Sequence, residues 1–294
     1  MVRRALVLSG GGPVGIAWET GVAAGMAEAG VDLRDADFFI GTSAGSFVGA
    51  QLASGRDPRS LAAAQLARAG SSSAPENRQA GPDMTKLMEV LGKLYTADDP
   101  IEARKEVGAF ALAAQTLPED GFIKTFGHMP GSWPSKRYAC TAVDTATGDF
   151  QVWDNDSAVD LAHAVASSCS VPGVYPPITI NGRRYMDGGM RSGTCADLAK
   201  GYDRVIVVIV RAGAGAAAPA GPVNMAEAQQ KRLEAELKVL TDNGSAVELI
   251  VPDEESAAAM GINLMSFGAR AAASEAGQRQ GKIEAERLRA FWLE

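Results

Sequence analysis

Around residue 40 the chain changes character within five residues. An apolar run, Phe38-Phe39-Ile40, ends in Gly41-Thr42-Ser43-Ala44-Gly45, and an Ala/Val/Leu-rich stretch with helical character follows. Strand, sharp turn and helix in that order form the setting of a nucleophile elbow. The turn strains the serine backbone and lifts its hydroxyl clear of the sheet. Glycine is needed two residues to either side of Ser43, because a side chain there would meet the neighbouring strand or helix. The following helix points its positive end at the serine, which favours an oxyanion nearby.

A serine hydroxyl is a weak nucleophile until a base takes its proton. Histidine is the usual base, and the chain has two. His163 falls in a helical pattern, Ser157-Ala158-Val159-Asp160-Leu161-Ala162-His163-Ala164-Val165-Ala166, and reads as a helix-surface residue. His128 falls in the Pro/Gly loop Gly127-His128-Met129-Pro130-Gly131. Neither follows a strand, so the expected base is a carboxylate. Ile178-Thr179-Ile180 and Arg183-Arg184-Tyr185-Met186 flank Asn181-Gly182, a hairpin signal. The second of these strands runs into Asp187-Gly188-Gly189. An Asp in such a turn often does no more than bond its own backbone two residues on. The elbow without a histidine shifts the reading of Asp187 towards a base.

A third segment, Ser9-Gly10-Gly11-Gly12-Pro13-Val14-Gly15, follows the buried-strand pattern Ala5-Leu6-Val7-Leu8 and opens a helix. Bare backbone N–H groups at a helix N-terminus bind anions. The spacing Gly10-x-Gly12-x-x-Gly15 fits a dinucleotide fingerprint, and it equally fits donors aimed at a tetrahedral intermediate. A dinucleotide site wants an acid at the end of the second strand to hold the ribose. The second strand here ends in Gly41-Thr42-Ser43, which favours the oxyanion loop.

Taken along the chain, the glycine loop, the Gly-x-Ser-x-Gly elbow and the distant Asp-Gly-Gly resemble the patatin-like phospholipase family. Ala166-Ser167-Ser168-Cys169-Ser170-Val171-Pro172-Gly173-Val174-Tyr175-Pro176-Pro177 ahead of the Asp and Ala196-Asp197-Leu198-Ala199 after it are also similar to family segments. The likeness covers roughly residues 3–55 and 136–210. It implies a three-layer α/β/α sandwich with a mostly parallel central sheet, and hydrolysis of acyl esters of lipids. It implies a Ser–Asp dyad, with Ser43 as nucleophile and Asp187 as general base. Gly10, Gly11, Gly12 and Ala44 would form the oxyanion hole, and Gly15, Gly41, Gly45, Gly188 and Gly189 would support the motifs. No metal and no cofactor is implied. Val14 stands where the family usually has Arg or Lys, and Cys195 where relatives commonly have Asn. Two other readings stay open: a non-catalytic relative that binds acyl lipids or a partner protein, and a nucleotide-binding α/β protein using Gly10–Gly15.

The remaining patterns bound the partners. With 294 residues, 46% of them hydrophobic, the chain suits one α/β domain over 3–294. A formal net charge of −7 argues against a nucleic-acid partner and gives no pull towards anionic membranes. Contact with a membrane surface would then be transient. Cys140, Cys169 and Cys195 have no metal spacing and read as reduced. Met1-Val2-Arg3-Arg4 leads into a strand with no cleavable apolar segment, so no signal peptide is expected and the chain reads as cytoplasmic. Helical patterns at 58–69, 84–92 and 100–116 make residues 57–130 a helical insert, placed to cap the site. Residues 71–83 look like a linker and 212–221 like an Ala/Gly/Pro loop. Val90, Leu91 and Leu94, with Leu87, Met88 and Tyr95, suit either an acyl pocket or ordinary packing. The last helical pattern, 271–291, with Ile283, Leu288, Phe291 and Trp292, suits the core or a homodimer contact.

Overall fold

The computed structural model describes residues 2–67, 89–94, 97, 99–211 and 225–294. The linker-like 71–83, the loop 212–221, and Leu87, Met88 and Tyr95 lie outside the described residues. The strands are β1 (Arg4–Leu8), β2 (Phe38–Gly41), β3 (Arg137–Asp144), β4 (Phe150–Asp154), β5 (Ile178–Ile180), β6 (Arg183–Asp187), β7 (Arg204–Val208) and β8 (Ala246–Ile250). The helices with defined bounds are α1 (Gly12–Glu28), α2 (Ala44–Ala53), α3 (Pro58–Ala67), α4 (Pro100–Ala113), α5 (Glu119–Lys124), α6 (Leu161–Ser168), α7 (Met225–Asp242), α8 (Glu254–Met260) and α9 (Arg270–Leu293).

All eight strands join one sheet, ordered β5-β6-β3-β2-β1-β7-β8, with β4 also on β3. From β3 to β8 the pairs are parallel, and β4, β5 and β6 pair antiparallel. The central strands are apolar on both faces, as a sheet covered by helices on each side requires. Leu6 and Leu8 of β1 point into one core with Val14, Trp18 and Val22 of α1, Phe47 of α2, and Leu288 and Trp292 of α9. Ala5 and Val7 point the other way, to Leu233 and Leu240 of α7. The alternation of period two thus divides the molecule into three layers.

Local chemistry moves several boundaries. The first helix begins at Gly12, earlier than the apolar pattern suggests, because Pro13 suits its first turn. α6 begins at Leu161, where the Asp160 carboxylate accepts the His163 N–H at 3.2 Å and caps the helix. α5 is short and was not expected. In the insert, Val90 and Leu94 pack with Val107 and Ala111 of α4 against Val143 of β3 and Met186 of β6. The described part of that apolar stripe is therefore packing. Leu288 and Trp292 are fully buried in the main core, while Ile283 is 54% exposed.

Candidate active site

β3 brings the site together. Ala139 and Cys140 pair with β2 on one side and β4 on the other. Ala142 and Val143 pair with β6 and again with β4. A strand has two edges, so β2 and β6 share one. β2 follows β3 as far as Gly41 opposite Cys140, and β6 takes over with Asp187 opposite Ala142. The strand end leading to Ser43 and the strand end carrying Asp187 are therefore two β3 residues apart, about 7 Å. Thr141 lies between them. Its hydroxyl meets that of Thr42 at 2.8 Å, and a Cβ on Gly188 would sit 2.1 Å from its Oγ1.

Ser43 has φ 52° and ψ −118°, a left-handed conformation that a side chain disfavours. Its surroundings enforce the turn. The Ser43 N–H donates to Ser168 Oγ at 3.0 Å, and the Ser43 carbonyl accepts from Ser46 Oγ at 2.6 Å and Cys169 Sγ at 3.2 Å. A Cβ on Gly41 would lie 2.4 Å from the Gly45 carbonyl oxygen, and one on Gly45 would lie 2.1 Å from that of Leu8. Ser168 went unassigned in the sequence, although it stands in the Ser167-Ser168-Cys169 run. A small hydroxyl residue at a helix end was the available signal.

Ser43 is 7% exposed and Asp187 is 3% exposed. Burial pushes the Asp187 carboxyl up to about 6, against the lowering effect of hydrogen bonds from the Ser43 hydroxyl and the Gly189 N–H. The Gly189 bond is short, at 2.7 Å to Oδ1. The turn expected at Asp187 is present, its carboxylate accepting from the N–H two residues on. His163 Nδ1 lies 3.0 Å from Asp160 on an exposed helix start, and exposed His128 rests its ring against Phe47 at 5.2 Å.

The glycine loop lies against the serine: a Cβ on Gly10 would be 3.3 Å from Ser43 Cβ. Gly12 adopts φ +59°, where a Cβ would strike the Leu264 carbonyl oxygen at 2.7 Å. Gly12 and Ala44 open α1 and α2, so their N–H groups precede the helical ladder. Among the described residues the Gly11 N–H donates to no protein acceptor. The Gly10 N–H, expected to line the oxyanion hole, donates to the Gly193 carbonyl at 2.8 Å. Val14 is fully buried in the core, and its N–H goes to the Leu264 carbonyl at 3.1 Å. A pyrophosphate would find those two donors already committed.

Cys140 and Cys195 are buried, and burial pushes their thiols up to about 12 and about 11. Cys169 is also pushed up by burial and by the Asp187 charge. All three stay thiols at neutral pH. Cys195 takes φ 50°, a conformation in which Asn is enriched. Among the described residues no group of three or more His, Cys, Asp or Glu is placed to hold a metal ion, and no helix is long and apolar enough to cross a membrane.

The sequence profile described as "Patatin-like phospholipase" matches residues 6–200. Among solved structures, VipD from Legionella pneumophila is similar at 15% identity and TM-score 0.50, over 97% of this chain and 67% of its own. The type III effector ExoU is 19% identical with TM-score 0.43, over 100% of this chain and 54% of its own. An ExoU–SpcU complex from the type III secretion system of Pseudomonas aeruginosa is 16% identical, with TM-score 0.41, over 97% of this chain and 51% of the matched chain. This chain thus spans about half to two thirds of the length of those proteins. No curated protein matches.

Proposed function

We propose, from the premise that this chain belongs to the patatin-like phospholipase family, that it hydrolyses acyl esters of lipids with Ser43 as nucleophile and Asp187 as general base. The observation that carries the reading is the meeting of a strained serine turn with a buried carboxylate raised to about 6. An ordinary carboxylate, near pKa ~4, is a feeble base for an alcohol. One raised by burial is better matched and remains ionised at neutral pH.

In the proposed reaction Ser43 Oγ attacks the ester carbonyl while its proton moves to Asp187. The oxyanion forms against the N–H groups of Gly11, Gly12 and Ala44, each of which contributes on the order of 3 kcal/mol. Collapse breaks the acyl–oxygen bond, and the leaving alkoxide takes the proton from Asp187. Water then attacks the acyl-enzyme, giving its proton to Asp187, and Ser43 leaves with that proton. The products are a carboxylic acid and an alcohol. Esters suit the site better than amides, because their leaving group needs less protonation.

A panel of p-nitrophenyl esters of varied length, run beside phosphatidylcholine, tests this. The chain should turn over esters and take a fluorophosphonate label, and Ser43→Ala should lose both. An inert, unlabelled parent chain would leave a lipid-binding relative instead.

A further inference from the structure

The turn that follows Asp187 also serves a second place. Met190 and Arg191 line a cavity of about 360 Å³ between α4 and α7. Three guanidinium groups from three separate elements line it: Arg104 of α4, Arg191 of the turn and Arg232 of α7. In a chain of formal net charge −7, cations gathered in one hollow repel one another at a cost. The effect is visible at Arg104. Burial lowers its pKa first, the charges of Arg232 and Arg191 lower it further, and Asp149 and Asp99 offset only part of this.

Among the described residues the two acids lining the cavity, Asp197 and Glu236, form ion pairs with Arg191 and not with Arg104. Asp197 is held by Arg191 in a two-pronged contact, both bonds 2.6 Å. Glu236 accepts from Thr194 Oγ1 at 2.6 Å and from the Ala196 N–H at 2.9 Å, and lies 3.7 Å from Arg191. Arg191 is further fixed over the Phe150 ring at 4.6 Å. Arg232 donates to the Arg191 carbonyl. Arg104 uses its Nε on the Pro100 carbonyl at 3.0 Å, and among the described residues its two terminal NH₂ groups make no hydrogen bond.

We propose that this cavity is an anion site, distinct from the ester-cleaving crevice, that takes the phosphoryl group of a phosphate ester. Arginine forks match phosphate oxygens in pairs. A tetrahedral dianion presents oxygens to donors on several sides, which a flat carboxylate does not. Leu94, Pro100 and Val239 supply apolar wall, and the volume leaves room for the group esterified to the phosphate. That group belongs either to a soluble molecule or to a lipid head.

Calorimetric titration of the full chain with inorganic phosphate and glycerol 3-phosphate tests the soluble source. Co-sedimentation with phosphatidylcholine vesicles, with and without phosphatidic acid, tests the lipid source. The parent chain should bind the phosphates. The Arg104→Gln/Arg232→Gln double variant should bind at least about tenfold more weakly, the loss of one or more charged hydrogen bonds. Arg104→Lys, which keeps charge and fold but not the fork, should fall between. Glycerol 3-phosphate binding without phosphatidic-acid binding assigns a soluble ester, and vesicle binding lost in the double variant assigns a head group. Unchanged affinity in both variants, or acetate displacing phosphate at equal concentration, overturns the site. Ser43→Ala should bind phosphate as the parent does, and the double variant should still cleave a neutral ester, so this site and the ester reading fail separately.

Discussion

In the proposed reaction Asp187 serves two ends with one carboxylate. Its bond to the Gly189 N–H fixes its direction, and its burial beside Ser43 would make it a stronger base. The two histidines have other contacts, so the roles separate by substitution. Asp187→Asn keeps the shape and removes the proton acceptor; turnover of a p-nitrophenyl ester should fall by about 10³-fold or more. His128→Ala and His163→Ala should retain it. A large loss in either histidine variant with Asp187→Asn active would reverse the assignment. The pH dependence follows from the direction of the shift. A base must be ionised to work, and this carboxyl holds its proton below about 6. A kcat/KM profile should therefore be flat above that pH and fall about tenfold per unit below it. A limb near the usual carboxylate value, ~4, would show that burial does not raise the base in solution.

At the scale of elements, α1 and α9 set how close the layers sit. A Cβ on Gly25 would lie 2.0 Å from the Gln278 carbonyl oxygen, and one on Gly281 would lie 2.3 Å from that of Val22. Gly21 and Gly277 make the matching contacts one turn away, at 2.2 Å and 2.4 Å. The obstacles are backbone atoms, which have no rotamer to yield. Gly25→Ala or Gly281→Ala should destabilise by about 3 kcal/mol, the upper end of over-packing costs, read as a lowered urea midpoint. Gly131→Ala, where a Cβ meets no described atom within 4 Å, is the control. The amphipathic alternation of the last helix left its partner open, since a buried helix face reads the same against a core or a second subunit. The glycine spacing of Gly21/Gly25 and Gly277/Gly281 held the answer, but only a pair of facing helices gives it meaning. The strand ends were more legible. Gly41-Thr42-Ser43 and Asp187-Gly188-Gly189 carry their turns in their own residues. Their meeting along one edge of β3 depends on strand order, which no local pattern records.

Across the whole molecule, the family match ends at residue 200 while the sheet continues. β1, which leads into the glycine loop, lies between β2 and β7. Without β7 its second edge would be open, with a row of unpaired backbone groups. The loop depends on the later chain as well. Val210 fills the space beside Gly11 and Gly15, the Val210 N–H bonds Ser9 Oγ at 2.7 Å, and the Leu264 carbonyl holds the Val14 N–H. α9 covers α1 and buries Trp292 completely. A chain of residues 1–200 contains Ser43, Asp187 and the glycines of the loop and the two turns, yet it lacks one wall of the core and the support of the loop. It should fail to fold cooperatively, with no sigmoidal melt by circular dichroism and no fluorophosphonate labelling. A folded, labelled 1–200 fragment would mean that the later strands and α9 are an addition to a self-sufficient unit. The full chain cut within 212–224 and kept as two associated fragments should behave differently, melting as one unit, because β7 and β8 still complete the sheet.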